Sequence, residues 1–255
     1  MNEIKLGFWE GLRNDIHNHL IKENINTFQN WREIQLTMIA GVDNVEYEYL
    51  LNCKNWSTWK NKLSENILKP NSHPIFNQSS TNNLHHAYSL QILMEETNCV
   101  ISDFGDVVEF GGGYGNVCRL FKQWGHNKMY YLYDIMELTQ IQKYYLSENN
   151  IINNVVYKNG LDNIDNIENN SLFIGMWSLS EVPIEERYKL LENLGFYKCK
   201  NIFLAMGGMF QNENNIKWLN DIVIPRLISL GYDYKLIRIE HGKDMFYFVS
   251  TKKYN

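Results

Sequence analysis

Proline and cysteine are both scarce, with four of each in 255 residues. The cysteines, Cys53, Cys99, Cys118 and Cys199, are widely spaced and none forms a C-x-x-C pair. That argues against a zinc cluster and fits buried free thiols in a reducing, cytoplasmic setting. No apolar run approaches the length that spans a bilayer, so no membrane insertion is expected. The start, MNEIKLGFWEGLRND, has no basic segment followed by an apolar run, so no signal peptide is expected. Runs of Lys or Arg are missing and the formal net charge is −5. A nucleic-acid partner is therefore disfavoured, because phosphate binding wants a basic face. A G-x-G-x-x-G dinucleotide fingerprint is missing too. From Gly111 the third glycine falls on Asn116, from Gly112 the second falls on Tyr114, and from Gly113 the third falls on Cys118.

What the chain does have is 44% hydrophobic residues, which suits one large domain or one domain with a substantial appendage. Residues 4 to 68 read as helical. Phe8, Leu12, Ile16 and Leu20 recur four apart and share a helix face. A second helix is expected over 27–40 and a third within 45–68. Trp9, Trp31, Trp56 and Trp59 lie here, and packing of this segment onto the rest is favoured over a ligand-stacking role. His17 and His19 are two apart and do not share a helix face, so no metal site is expected. Residues 70–83 read as a loop. A helix from about 84 to 95 follows, carrying His85 and His86 in its first turn.

From about residue 100 strands and helices alternate. Strands are expected at 106–110, 128–133, 155–158, 172–177 and 201–206, with helices at 115–124, 136–148, 183–194 and 213–229. This alternation argues for a parallel sheet covered on both faces. Two last strands, 232–240 and 245–251, are separated by only four residues and must form an antiparallel hairpin. The expected division is a helical cap over 1–95 and an α/β domain over 96–255.

The most informative stretch is VVEFGGGYGNVCRL, 107–120. It reads as a buried strand, a glycine turn and a helix start, which aims backbone N–H groups and a positive dipole end at a ligand. Its acidic-x-G-x-G-x-G pattern, through Glu109, Gly111, Gly113 and Gly115, is similar to the first motif of class I S-adenosylmethionine (SAM) dependent methyltransferases. Gly112 and Tyr114 complete the turn. Asp134 ends the second strand, where a carboxylate can accept from both ribose hydroxyls; it also suits capping the next helix, and the motif context favours the ribose. Ile135 and Met136 would then lie beside an adenine, with Gly160 and Leu161 bordering its other side. Trp177 and Ser178 follow strand four at the ligand edge of the sheet. Glu181 can orient or deprotonate an acceptor hydroxyl, or equally cap the helix after Pro183.

Methyl transfer to a hydroxyl requires alignment and removal of one proton. His85 and His86 are the candidate bases on the cap, joined by Glu181 on the sheet; His241, on the last hairpin, ranks behind them. Placement at a helix N-terminus would keep a histidine neutral. Adjacent helix positions point about 100° apart, so at most one of the pair should face the acceptor.

Three stretches, VVEFGGGYGNVCRLF, YYLYDIMELTQIQKYYL and FIGMWSLSEVP, together resemble the sugar O-methyltransferase family found among polysaccharide biosynthesis genes. Met136 departs from the Pro expected there. The resemblance implies a Rossmann-like class I methyltransferase sheet, mostly parallel and seven-stranded. It also implies SAM as cofactor and a sugar or nucleotide-linked sugar as acceptor. The rival readings are a small-molecule methyltransferase acting on a non-sugar nitrogen or oxygen, and a SAM-binding module without turnover.

Overall fold

The computed structural model describes residues 9–39, 41, 43–64, 79–159, 168 and 170–253. Gly160, Leu161 and most of the expected loop 70–83 lie outside the described residues.

The N-terminal part is helical. Helix α1 spans Trp9–Lys22. The helix expected over 27–40 divides into a 3-10 turn, Ile25–Asn30, and α2, Arg32–Thr37. The division falls at Trp31, whose backbone is extended. Helices α3 (Asn44–Asn52) and α4 (Trp56–Lys62) follow. Helix α5 runs over Thr81–Thr97 and begins earlier than its apolar stripe suggests, because the Ser80 hydroxyl accepts from the Asn83 backbone N–H at 3.1 Å and caps it. His85 and His86 consequently lie in its second turn.

The α/β part follows as strands β1 (Val107–Phe110), β2 (Tyr130–Asp134), β3 (Val155–Asn159), β4 (Leu172–Met176) and β5 (Asn201–Gly207). Between them lie α6 (Asn116–Gln123), α7 (Met136–Glu148) and α8 (Ile184–Asn193). A two-stranded ribbon, β6 (Met209–Phe210) with β7 (Glu213–Asn214), occupies the start of the expected 213–229 helix. The rest of that helix is α9 (Asn215–Trp218), a π-helical turn over Leu219–Val223, and α10 (Ile224–Ser229). Pro225 lies just beyond the π turn and has no N–H to continue a regular ladder, which accounts for the widening. Strands β8 (Tyr232–Arg238) and β9 (Met245–Lys252) close the chain.

The main sheet has seven strands in the order β3-β2-β1-β4-β5-β9-β8. Strands β1 to β5 are mutually parallel, and β9 enters antiparallel to both β5 and β8. This is the sheet the alternating pattern implied. Successive strand residues face opposite sides, and the core follows suit. Val107, Tyr130 and Leu132 pack with α6, α7 and the N-terminal helices. Val108, Tyr133 and Phe173 pack with α8, the π turn and α10. Of the four N-terminal tryptophans, Trp59 is fully buried and Trp31 nearly so, while Trp9 and Trp56 are partly buried against the same core.

Two features of this topology position the site. The carboxyl ends of β1, β2 and β4 lie together at one edge of the sheet. Because β9 is antiparallel, its first residue, Met245, pairs with Gly207 at the end of β5. The β8–β9 turn, with His241, therefore reaches the same edge.

Candidate functional site

A cavity of about 1060 Å³ opens at that edge, between the strand ends and the N-terminal helices. It is lined by Glu109, Gly111, Gly112, Gly113, Tyr114, Asp134, Ile135, Met136, Trp177, Ser178 and Glu181, and by His85 and His86 from α5. Nearly all of the sequence candidates within the described residues thus converge. Gly115 does not line the cavity. It is the left-handed residue (φ +95°) before α6 and starts that helix instead.

The glycine turn is tight for identifiable reasons. Gly111 has φ +68°, and a Cβ there would sit 2.2 Å from the Ser178 Cβ. Ser178 is itself fixed, its hydroxyl donating to the Phe110 carbonyl at 2.5 Å. Gly112 lies against the Leu132 side chain and Gly113 against Met38. Tyr114 turns its phenol inward, where Asn82 Nδ2 donates to it at 2.7 Å.

Asp134 closes the other side of the turn. Its carboxylate accepts from the Gly113 and Ile135 backbone N–H groups at 3.0 and 2.8 Å and from Gln142 Nε2 at 3.0 Å. Burial outweighs these donors and pushes the carboxyl up to about 7. Glu109 accepts from the Tyr130 hydroxyl at 2.7 Å, and burial pushes it up to about 8.

The two histidines on α5 have fixed protonation patterns. Arg119 can only donate, and its Nε donates to Asn116 Oδ1 at 3.0 Å. The Asn116 amide nitrogen therefore faces His86 Nδ1, 2.9 Å away, and donates to it. His86 is neutral with its proton on Nε2. Burial, with His85 and Arg119 nearby, pushes it down to about 3. His85 follows the same logic. The Trp177 indole N–H donates to Nε2 at 2.9 Å, so Nδ1 carries the proton and donates to Glu46 Oε1 at 2.6 Å. In both rings the lone pair a base would use is already occupied. These bonds weigh against either ring as the base, and the expected placement in the first helical turn is corrected. The His86 shift comes from burial and neighbouring charge, since neither ring lies in the first helical turn.

Glu181 is different. Trp9 Nε1 donates to its Oε2 at 2.8 Å, and burial pushes its carboxyl up to about 7. A carboxylate of that basicity in a ligand cavity is matched to proton transfer near neutral pH.

Several lining residues escaped sequence reasoning. Arg13 comes from α1, Met38 from the residue after α2, and Glu46 from α3; Trp9, also on α1 and expected only to pack, lines the cavity too. Arg13 Nε pairs with Glu137 Oε2 at 2.9 Å. Glu46 Oε1 also accepts from His241 Nε2 at 2.9 Å. No local pattern marks these positions, because each acquires its role only when the N-terminal helices fold over the sheet. Among the described residues, no three His, Cys, Asp or Glu side chains are placed to hold a metal ion, and no helix is long and apolar enough to cross a membrane.

No protein-family model matches the chain, and no curated protein matches it in sequence. Solved structures do. Magnesium protoporphyrin IX methyltransferase from Synechocystis PCC 6803, crystallised with bound SAM, is similar over 84% of this chain and 99% of its own, at 12% identity and a TM-score of 0.50. A SAM dependent methyltransferase from Aquifex aeolicus matches 64% of this chain and 88% of its own, at 16% identity and a TM-score of 0.45. An rRNA methylase from Streptococcus thermophilus matches 66% and 94%, also at 16% identity and 0.45. The chain has the Rossmann-like fold of the class I methyltransferases.

Proposed function

We propose that the protein is a SAM-dependent O-methyltransferase that methylates a hydroxyl of a neutral or nucleotide-linked sugar. The observation that carries this reading is the juxtaposition, around one cavity, of the Gly111–Gly113 turn, the Asp134 carboxylate and the Glu181 carboxylate. Gly111, Gly112 and Gly113 line the cavity, and without side chains they let a ligand approach the backbone. A volume of about 1060 Å³ slightly exceeds the usual range for a single small-molecule site (about 300–1,000 Å³) and suits two ligands.

When bound, SAM supplies an electrophilic methyl group on a sulfonium. Asp134 would accept from its ribose hydroxyls, Ile135 and Met136 would flank the adenine, and the glycine turn would face the rest. Glu181 would accept the proton of the acceptor hydroxyl that is methylated. Trp177 and Ser178 would wall the reacting centre. Of the two acceptors the lining favours the neutral sugar over the anionic nucleotide-linked one: Arg13 and Lys243 are its only Lys or Arg side chains among the described residues, and Arg13 is paired with Glu137. That also weighs against a nucleic-acid acceptor. Free Cys53, Cys99, Cys118 and Cys199 support a reducing, cytoplasmic setting.

The test is calorimetry with SAM, followed by transfer of labelled methyl to a panel of glycosides and nucleotide sugars. Binding of SAM with transfer to a sugar is expected, and Glu181→Gln should lower kcat about 10²- to 10⁴-fold while SAM affinity is kept. Transfer only to amines or non-sugar hydroxyls would overturn the acceptor class. Tight binding with no transfer to any acceptor would point to a SAM-binding module.

A further inference from the structure

The acceptor side of the cavity contains a polar cluster that the methyl-transfer reading does not use. Glu46 from α3 is buried, and its Oε1 alone accepts two imidazole N–H groups, from His85 Nδ1 at 2.6 Å and from His241 Nε2 at 2.9 Å. Its other oxygen, Oε2, has no hydrogen-bond partner among the described residues, and the carboxylate lines the cavity.

The cluster is held from four elements. His85 comes from α5, and His241 from the β8–β9 turn. The Trp177 indole N–H, just past β4, fixes the His85 tautomer at 2.9 Å. Trp177 has φ +60°, a left-handed conformation that is strained for a bulky side chain. His241 leaves Nδ1 buried and unpartnered, so its ring orientation is dictated by the bond to Glu46. The Trp177 bond holds His85, and His85 and His241 together hold the carboxylate. Oε2 is not among the buried side-chain atoms that lack a partner: it is open to the cavity that Glu46 lines, where a donor can reach it. Here one oxygen is doubly satisfied and the other is left for a donor that the described residues do not supply.

We infer that Glu46 anchors the acceptor through a second hydroxyl, distinct from the one that is methylated, so that the protein selects polyols. This rests on the O-methyltransferase reading above and adds the substrate requirement of at least two hydroxyls. Glu181 and Glu46 then divide the work: one removes the proton and the other fixes which hydroxyl meets the methyl group. An acceptor with a single hydroxyl, or with an anionic group at the anchoring position, is discriminated against, because the buried carboxylate would be left unpaired or repelled.

The experiment measures methyl transfer from labelled SAM to a neutral methyl glycoside and to its monodeoxy analogues, in the wild type and in Glu46→Gln. For the wild type, one deoxy analogue that still carries the reacting hydroxyl should raise KM roughly ten- to a hundredfold, the effect of a lost charge-assisted hydrogen bond. Glu46→Gln should raise KM for the parent glycoside by a similar factor, with kcat within about threefold and SAM affinity kept. The same deoxy analogue should cost the variant nothing further, a coupling that a packing role would not produce. Glu46→Asp serves as the variant if Glu46→Gln does not fold. Equal KM for all deoxy analogues, or additive losses in the variant, overturns the anchor while leaving methyl transfer intact. No transfer to any glycoside, with SAM bound, overturns the acceptor reading and the anchor with it.

Discussion

The indole N–H of Trp9 donates to Glu181 Oε2 at 2.8 Å, tying α1 to the loop after β4. That bond lowers the Glu181 carboxyl against a larger burial effect, which leaves it at about 7. Trp9→Phe removes the donor and keeps an aromatic ring, so the carboxyl rises further. A proton acceptor works only when ionised, so activity falls as pH drops through its pKa. The acidic limb of the kcat/KM profile is therefore expected to move to higher pH in Trp9→Phe and to vanish as a defined limb in Glu181→Gln. A limb unchanged in both variants would assign it to another group.

Asp134 gives a second pH dependence, read in binding. Its carboxyl lies at about 7 because burial outweighs its three donors. Ribose hydroxyls donating to it favour the ionised form and lower its pKa on binding. Affinity for SAM is then full above pH 7 and weakens as pH falls through 7. Asp134→Asn should cost roughly ten- to a hundredfold in affinity and flatten the dependence. Calorimetry between pH 6 and 8 checks both; a wild-type affinity that is flat in pH would remove Asp134 from the ribose.

The glycines of the turn are not equivalent. A Cβ at Gly111 meets the Ser178 Cβ at 2.2 Å, whereas one at Gly113 meets only the flexible end of Met38, at 3.3 Å. Both have positive φ. Gly111→Ala should therefore destabilise by overpacking as well as strain, about 1–3 kcal/mol, and abolish SAM binding. Gly113→Ala should cost about 1 kcal/mol from strain and weaken binding less. Denaturant unfolding of the two variants checks the order, and equal losses would contradict it.

This turn was readable from sequence because its information is local: a β-branched strand, glycines where the chain reverses, an apolar helix after it. Asp134 was readable for the same reason, being tied to a strand end. Glu46 was not, because its partners His85 and His241 are distant in the chain and come together only across the sheet edge. The histidine pair shows a subtler limit. Sequence placed His85 and His86 at the site, but whether either can take a proton depends on which atoms donate to it. Trp177 and the Arg119–Asn116 pair fix which ring nitrogen accepts and which carries the proton.

Arg187 supplies the last test, of what holds Glu181 in place. It is fully buried, and its guanidinium donates to the Ser180 carbonyl at 2.9 Å and the Val182 carbonyl at 2.6 Å, the two residues flanking Glu181. A third bond, 2.7 Å, reaches Asn215 Oδ1, and the group lies 4.8 Å from the centre of the Trp218 ring. Burial lowers Arg187 only to about 10, so it stays charged at neutral pH. Lysine has no planar fork and cannot span both carbonyls. Arg187→Lys should therefore leave one carbonyl unpaired, at about 1–3 kcal/mol, and let the Glu181 loop shift. Misplacement of a reacting group by about 1 Å can cost roughly 10² in rate, so kcat should fall at least about tenfold. SAM affinity should hold, because Asp134 ends β2 and the glycine turn follows β1. Measured together, kcat, SAM affinity and unfolding separate the two roles: a variant that is destabilised but keeps full kcat would make Arg187 a structural residue only.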